Sequence, residues 1–190
     1  MIKTGIFGGS FNPIHNGHIQ LVRQLKEAAG LEEVWLMVSP QNPLKQQVDL
    51  LDDELRLQMA QQALADDPSI HVSDYEFHLP RPSYTWNTLK ALEADFPDRE
   101  FVLLIGGDNW ERFPRWYRAD DIIRNYHLVV YPRSGSAIDL TLLPPTVAVV
   151  KAELLDISST DIRRRVHQGR TIAGMVPDCI ISRVMEYYAR

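Results

Sequence analysis

Short apolar runs recur at Ile2 to Phe7, Val34 to Val38, Phe101 to Ile105, His127 to Tyr131 and Val147 to Val150, and longer helix-compatible stretches separate most of them. Alternation of this kind builds a parallel sheet, because parallel neighbours need a crossover long enough to hold a helix. The expected helices run roughly over Gly17 to Ala29, Asp53 to Ala65, Thr85 to Phe96, Ala119 to Tyr126, Ser159 to Gln168 and Asp178 to Tyr188. They are enough to cover both faces of the sheet. Gly30, Pro68, Pro97, Gly169 and Pro177 punctuate helix ends. No Ser/Gly linker, repeat or low-complexity tract divides the 190 residues, so one domain over 1–190 is expected, with Ser134 to Pro145 as its mobile insert.

The charge balance narrows the function. Twenty Lys and Arg against 25 Asp and Glu leave a net charge of -5, which argues against nucleic acid or a membrane surface as partner. Anion binding must then be local. No apolar run approaches the ~20 residues of a membrane span, and the N-terminus has no signal-peptide pattern, so a soluble cytoplasmic protein is expected. The single cysteine, Cys179, stands beside Ile180 and Ile181, and a buried, inert thiol is expected.

The first apolar run passes directly into Gly8-Gly9-Ser10-Phe11-Asn12-Pro13-Ile14-His15-Asn16-Gly17-His18, and helical periodicity begins at once with Ile19, Leu21, Val22 and Leu25. In an open α/β sheet, ligands bind outside the carboxyl ends of strands, where helix N-terminal amides favour an anion such as phosphate. Gly8 and Gly9 permit close backbone approach, although glycines after a strand are also ordinary turn residues. His15 and His18, three apart, can project to the same side. Neither a nearby cysteine nor an H-E-x-x-H pattern supplies further zinc ligands, so no metal ligation is expected. Both a G-x-x-x-x-G-K-[ST] loop and a G-x-G-x-x-G fingerprint are absent.

The string from Gly8 to His18 resembles the nicotinate-mononucleotide adenylyltransferases, within the nucleotidyltransferase superfamily whose H-x-G-H signature stands here as His15-Asn16-Gly17-His18. The resemblance implies a Rossmann-like sheet and ATP held by Gly8, Gly9, Ser10, Phe11, His15 and His18. It makes His15 and His18 the catalytic residues, with His18 on the α-phosphate as it becomes five-coordinate. A second motif, Ile157-Ser158-Ser159-Thr160-Asp161-Ile162-Arg163, matches the family's other phosphate element. Ser158 with Asp161 also has the spacing of a helix cap. Ser159 and Arg163 share one helical edge, while successive residues turn by roughly 100°, so Arg164 and Arg165 are expected to be solvated.

The resemblance extends through Gly106-Gly107-Asp108, which assigns Asp108 to ATP. It places the acceptor's pyridine ring among Tyr84, Thr85, Trp116 and Tyr117, with Asn12 and Lys45 also on the acceptor side. Lys45 sits in Asn42-Pro43-Leu44-Lys45, which departs from the family's commoner Pro-Pro-His-Lys. The implied reaction transfers adenylate from ATP, carried in with Mg²⁺, to nicotinate mononucleotide, giving deamido-NAD and pyrophosphate. Transfer to nicotinamide mononucleotide or phosphopantetheine, and a non-catalytic nucleotide sensor, are the alternatives. A homo-oligomer is compatible with all of them.

Overall fold

The computed structural model describes residues 1–41, 49–136 and 138–189. The sheet has six strands, all parallel: β1 (Ile2–Gly9), β2 (Glu33–Val38), β3 (Ile70–Ser73), β4 (Arg99–Gly106), β5 (His127–Tyr131) and β6 (Val147–Val149). They lie side by side in the order β3-β2-β1-β4-β5-β6, so the winding reverses between β1 and β4. That reversal opens a crevice at their carboxyl ends. Both glycine-bearing turns, after Phe7 and after Ile105, lie there.

Successive side chains of each strand go to opposite faces, and the two cores divide accordingly. Phe7, Leu36, Leu104 and Val129 pack with α1 (Asn16–Ala28), α2 (Asp53–Ala63), α6 (Ser159–His167) and α7 (Ile181–Tyr187). Ile6, Trp35, Leu103 and Val130 pack with α3 (Thr85–Asp95) and α5 (Ala119–Asn125). A short helix, α4 (Gly107–Arg112), begins directly at the end of β4. Gly5 lies in the middle of β1, where a Cβ would meet a Leu31 methyl at 2.7 Å, so a side chain there would have to displace Leu31.

The five expected strands and six expected helices form close to their expected bounds, and β3 and α4 are additional. β3 is only four residues long and has one fully buried position, Ile70. Alternation over so few residues gives little periodicity to read. The expectation for Cys179 is overturned, since its thiol is exposed and 3.6 Å from the Gln62 carbonyl. It lies in the 3-10 turn Asp178–Ile180, where Ile180 takes the core-facing position and turns its neighbour outward. The stretch after Arg133 carries local structure of its own, with Ser136 bonded to both backbone groups of Arg133 and a 3-10 turn at Leu140–Leu142.

Candidate active site

Helix α1 starts with a cap made by two histidines. His15 is the N-cap, and its Nδ1 accepts the backbone N–H of His18 at 3.3 Å. His18 returns the contact, its Nδ1 accepting the backbone N–H of His15 at 3.2 Å. An Nδ1 that accepts carries no proton, so each neutral ring keeps its proton on Nε2. The rings stack at 3.6 Å between centroids and 21° between planes, and Phe11 meets His18 edge-on at 5.0 Å. Burial, followed by the charge of Arg133, lowers the His15 pKa to about 4. Burial, then His15 and Arg133, hold His18 well below the ordinary imidazole value. The pair therefore offers two neutral Nε2–H donors at a helix N-terminus. Gly17 is required beside it, because a Cβ there would lie 2.9 Å from the His15 ring.

The second motif is fastened to the first. Ser158 caps α6 by accepting the Asp161 amide at 3.1 Å, and Ser159 Oγ donates to the Pro13 carbonyl at 2.9 Å. Arg163 Nη1 donates to the Asn12 carbonyl at 2.8 Å. Thus Ser159 and Arg163, on one edge of α6, hold it against the loop after β1. The other two arginines are not simply solvated as expected, because both pair with Asp161, Arg165 at 2.9 Å. A carboxylate three and four residues before them lies on their side of the helix.

A buried arginine organises the same edge of the sheet. Arg56 of α2 is fully inaccessible, and it donates to the carbonyls of Ser10, Ser39 and Leu51 as well as to Asp53. Only the periodicity of α2 was legible around Arg56, and an apolar-face arginine has no local signal. Asn12 is likewise engaged within the protein. Its amide donates to the Asp49 carbonyl at 2.8 Å, and its Oδ1 accepts from Leu51 N and Tyr188 Oη. Phe11 is buried at a φ of 46°, with its ring against Phe7 and His18. For Ser10, Phe11 and Asn12, the observed contacts position the loop.

Across the sheet, a cavity opens at the strand ends among Gly8, Gly9, Glu76, Thr85, Gly106 and Trp116. A Cβ on Gly8 would meet no protein atom within 4 Å, so nothing in the packing demands glycine there. A second concavity is lined by Ser83, Tyr84, Thr85, Trp116 and Tyr117, where the Tyr84 and Tyr117 rings stand 5.0 Å apart and both are exposed. Trp116 is half-buried against Phe113 and borders both spaces. Helix α3 begins at Thr85 with no side-chain cap, leaving its first amides open.

Asp108 follows Gly106 and Gly107 in the first turn of α4. Its Oδ1 is buried without a hydrogen-bond partner among the described residues, and its Oδ2 lies 3.5 Å from Arg133. Arg133, just beyond β5, also depresses both histidines. It is a site residue that no motif announces; its position after a strand adjoining β4 was the available signal. Lys45 lies outside the described residues. Among those residues, no group of three His, Cys, Asp or Glu could hold a metal ion.

Residues 6–165 match the cytidylyltransferase-like family. A relative from Bacteroides fragilis, carrying the name "Probable nicotinate-nucleotide adenylyltransferase", is 49% identical over 97% of this chain and 92% of its own. The chain belongs to the nicotinate-nucleotide adenylyltransferase family. A member from Bacteroides thetaiotaomicron is 45% identical over 98% of this chain and 92% of its own. In fold, this family member is similar to the Plasmodium falciparum nicotinic acid mononucleotide adenylyltransferase complexed with NaAD. The TM-score is 0.82 at 19% identity, covering 98% of this chain and 96% of that one. No helix among the described residues of this adenylyltransferase-family chain is long and apolar enough to cross a membrane.

Proposed function

We propose that the chain transfers adenylate from ATP to nicotinate mononucleotide, forming deamido-NAD and pyrophosphate, and works as one domain in the cytoplasm. The observation that carries this reading is the reciprocal cap of His15 and His18, which presents fixed N–H donors without adding titrating charge. The acceptor's phosphate is already an anionic nucleophile near neutral pH, so the reaction needs alignment and charge stabilisation more than a base. In-line attack on the α-phosphorus forms one P–O bond and breaks the bond to the pyrophosphate leaving group.

His18 donates to the α-phosphate as its oxygens gain charge, while His15 and Arg163 hold the outer phosphates. Ser158 and Ser159 begin the helix that carries Arg163, and Asp108 with Arg133 holds the adenosine side of ATP. Gly8 and Gly9 mark the junction between the histidine side of the sheet and the aromatic side. There the pyridine ring lies against Trp116, with Tyr84 and Tyr117 alongside, and the open amides around Thr85 receive its carboxylate. Lys45 is assigned to the acceptor phosphate. The Nε2–H groups of His15 and His18 and the Arg163 guanidinium fit phosphate oxygens, and Mg²⁺ brought in with ATP would supply further stabilisation of phosphate charge.

Pyrophosphate release measured with ATP and a panel of mononucleotides tests the reading. Nicotinate mononucleotide is expected to give the highest kcat/KM. Preferential use of the amide would reassign the acceptor, and tight ATP binding without turnover of any mononucleotide would indicate a sensor.

A further inference from the structure

Glu76 stands apart from every motif discussed above. It belongs to the 3-10 turn Tyr75–His78, yet it lines the cavity bounded by Gly8, Gly9, Thr85 and Trp116. The Thr88 hydroxyl donates to its Oε1 at 2.9 Å, and Ser39 lines the same cavity. Thr88 is in the first turns of α3, so the carboxyl group is tied to that helix. One hydroxyl donor leaves an ionised carboxylate with unused acceptor capacity, since its two oxygens have about four lone-pair sites. Burial, the largest influence, raises its pKa above the ordinary carboxylate value against the pull of the Thr88 hydrogen bond, which marks a carboxyl group poorly served by water.

What such a group can recognise follows from the acceptor's chemistry, and the argument rests on the function proposed above. In nicotinate mononucleotide the carboxylate is an acceptor and the phosphate is chiefly one. The strong neutral donors are the two ribose hydroxyls. We propose that Glu76 is a specificity-determining residue that binds the ribose hydroxyls of the acceptor nucleotide, leaving the ring to Trp116 and the phosphate to cations. A carboxylate pairing with ribose hydroxyls is an established way of distinguishing ribonucleotides, as in dinucleotide-binding sheets. The same negative charge disfavours a pose that brings an acceptor phosphate into this part of the cavity.

The test compares nicotinate mononucleotide with its 2′-deoxy and 3′-deoxy analogues, in the wild-type enzyme and in Glu76→Gln, by pyrophosphate release. The wild type is expected to lose about 10- to 100-fold in kcat/KM on at least one deoxy analogue, the scale of a hydrogen bond to a charged group. In Glu76→Gln, KM for nicotinate mononucleotide should rise while KM for ATP stays unchanged, and discrimination against that analogue should shrink several-fold. Thr88→Val, which removes one support of the carboxyl group, should keep the discrimination. Unchanged discrimination in Glu76→Gln would mean that the residue only anchors α3 and would overturn the proposal. Equal use of ribose and deoxy acceptors by the wild type would overturn it without any variant. A wild type that turns over no mononucleotide would instead overturn the proposed function itself.

Discussion

At the scale of single residues, His15 and His18 cap α1 through Nδ1, which leaves the proton of each neutral ring on Nε2. Protonating either Nδ1 would put two N–H groups against each other and break the cap. Because the folded pKa of His15 is lowered from 6.5 to about 4, the neutral form is favoured by folding. Its contribution is complete above the unfolded value and is lost as pH falls through 6.5 toward 4. The amount at stake is on the order of 3 kcal/mol. His15→Asn keeps a capping side chain but removes the titration, so chemical denaturation at pH 7 and pH 5 should show a smaller loss than in the wild type. An equal loss would place the acid sensitivity elsewhere. For His18→Ala, ATP binding should largely survive while kcat falls by about 100- to 1000-fold, as when one transition-state donor is deleted. Near-normal turnover in a folded variant would remove His18 from the chemistry.

Among the elements, α6 offers an internal comparison. Arg163 is held toward the loop after β1, whereas Arg164 and Arg165 share Asp161 on another side of the helix. Arg163→Ala should lower kcat/KM for ATP by about 10- to 100-fold through loss of a charge-assisted phosphate contact. Arg165→Ala removes the same charge and should change it little, despite losing its ion pair. Indistinguishable losses would indicate a diffuse basic patch. The start of α3 and the segment after α4 form the opposite wall, and Trp116→Ala should raise the acceptor KM much more than the ATP KM. A matched rise in both would make Trp116 a packing wedge over Phe113. The motifs on α1 and α6 were singled out by the family resemblance, and only the adjacency of His15 with His18 and of Ser159 with Arg163 follows from helical spacing. β3 was not legible, since its pairing with β2 comes from register across the sheet.

For the molecule as a whole, Arg56 is the junction between segments remote in sequence, reaching Ser10, Ser39, Leu51 and Asp53 from one buried guanidinium. Arg56→Met would orphan three carbonyls at once. It should cost about 3 to 5 kcal/mol, the scale of breaking a buried charged network, and lower the melting temperature by roughly 10 °C. A shift of a degree or two would show that the loops hold without it. The sequence by itself determined the parallel α/β architecture and the Ser158 cap of α6, because periodicity and capping act between near neighbours, and its resemblance to a family singled out the strings Gly8 to His18 and Ile157 to Arg163. Tertiary structure decided that Asn12 is engaged by Asp49, Leu51 and Tyr188, that Arg133 depresses the histidines, that Cys179 faces outward and that Glu76 lines the cavity beside Gly8 and Trp116. Those outcomes depend on which strands lie side by side and where the winding reverses. Burial and charge then act through space between residues that the chain alone keeps far apart.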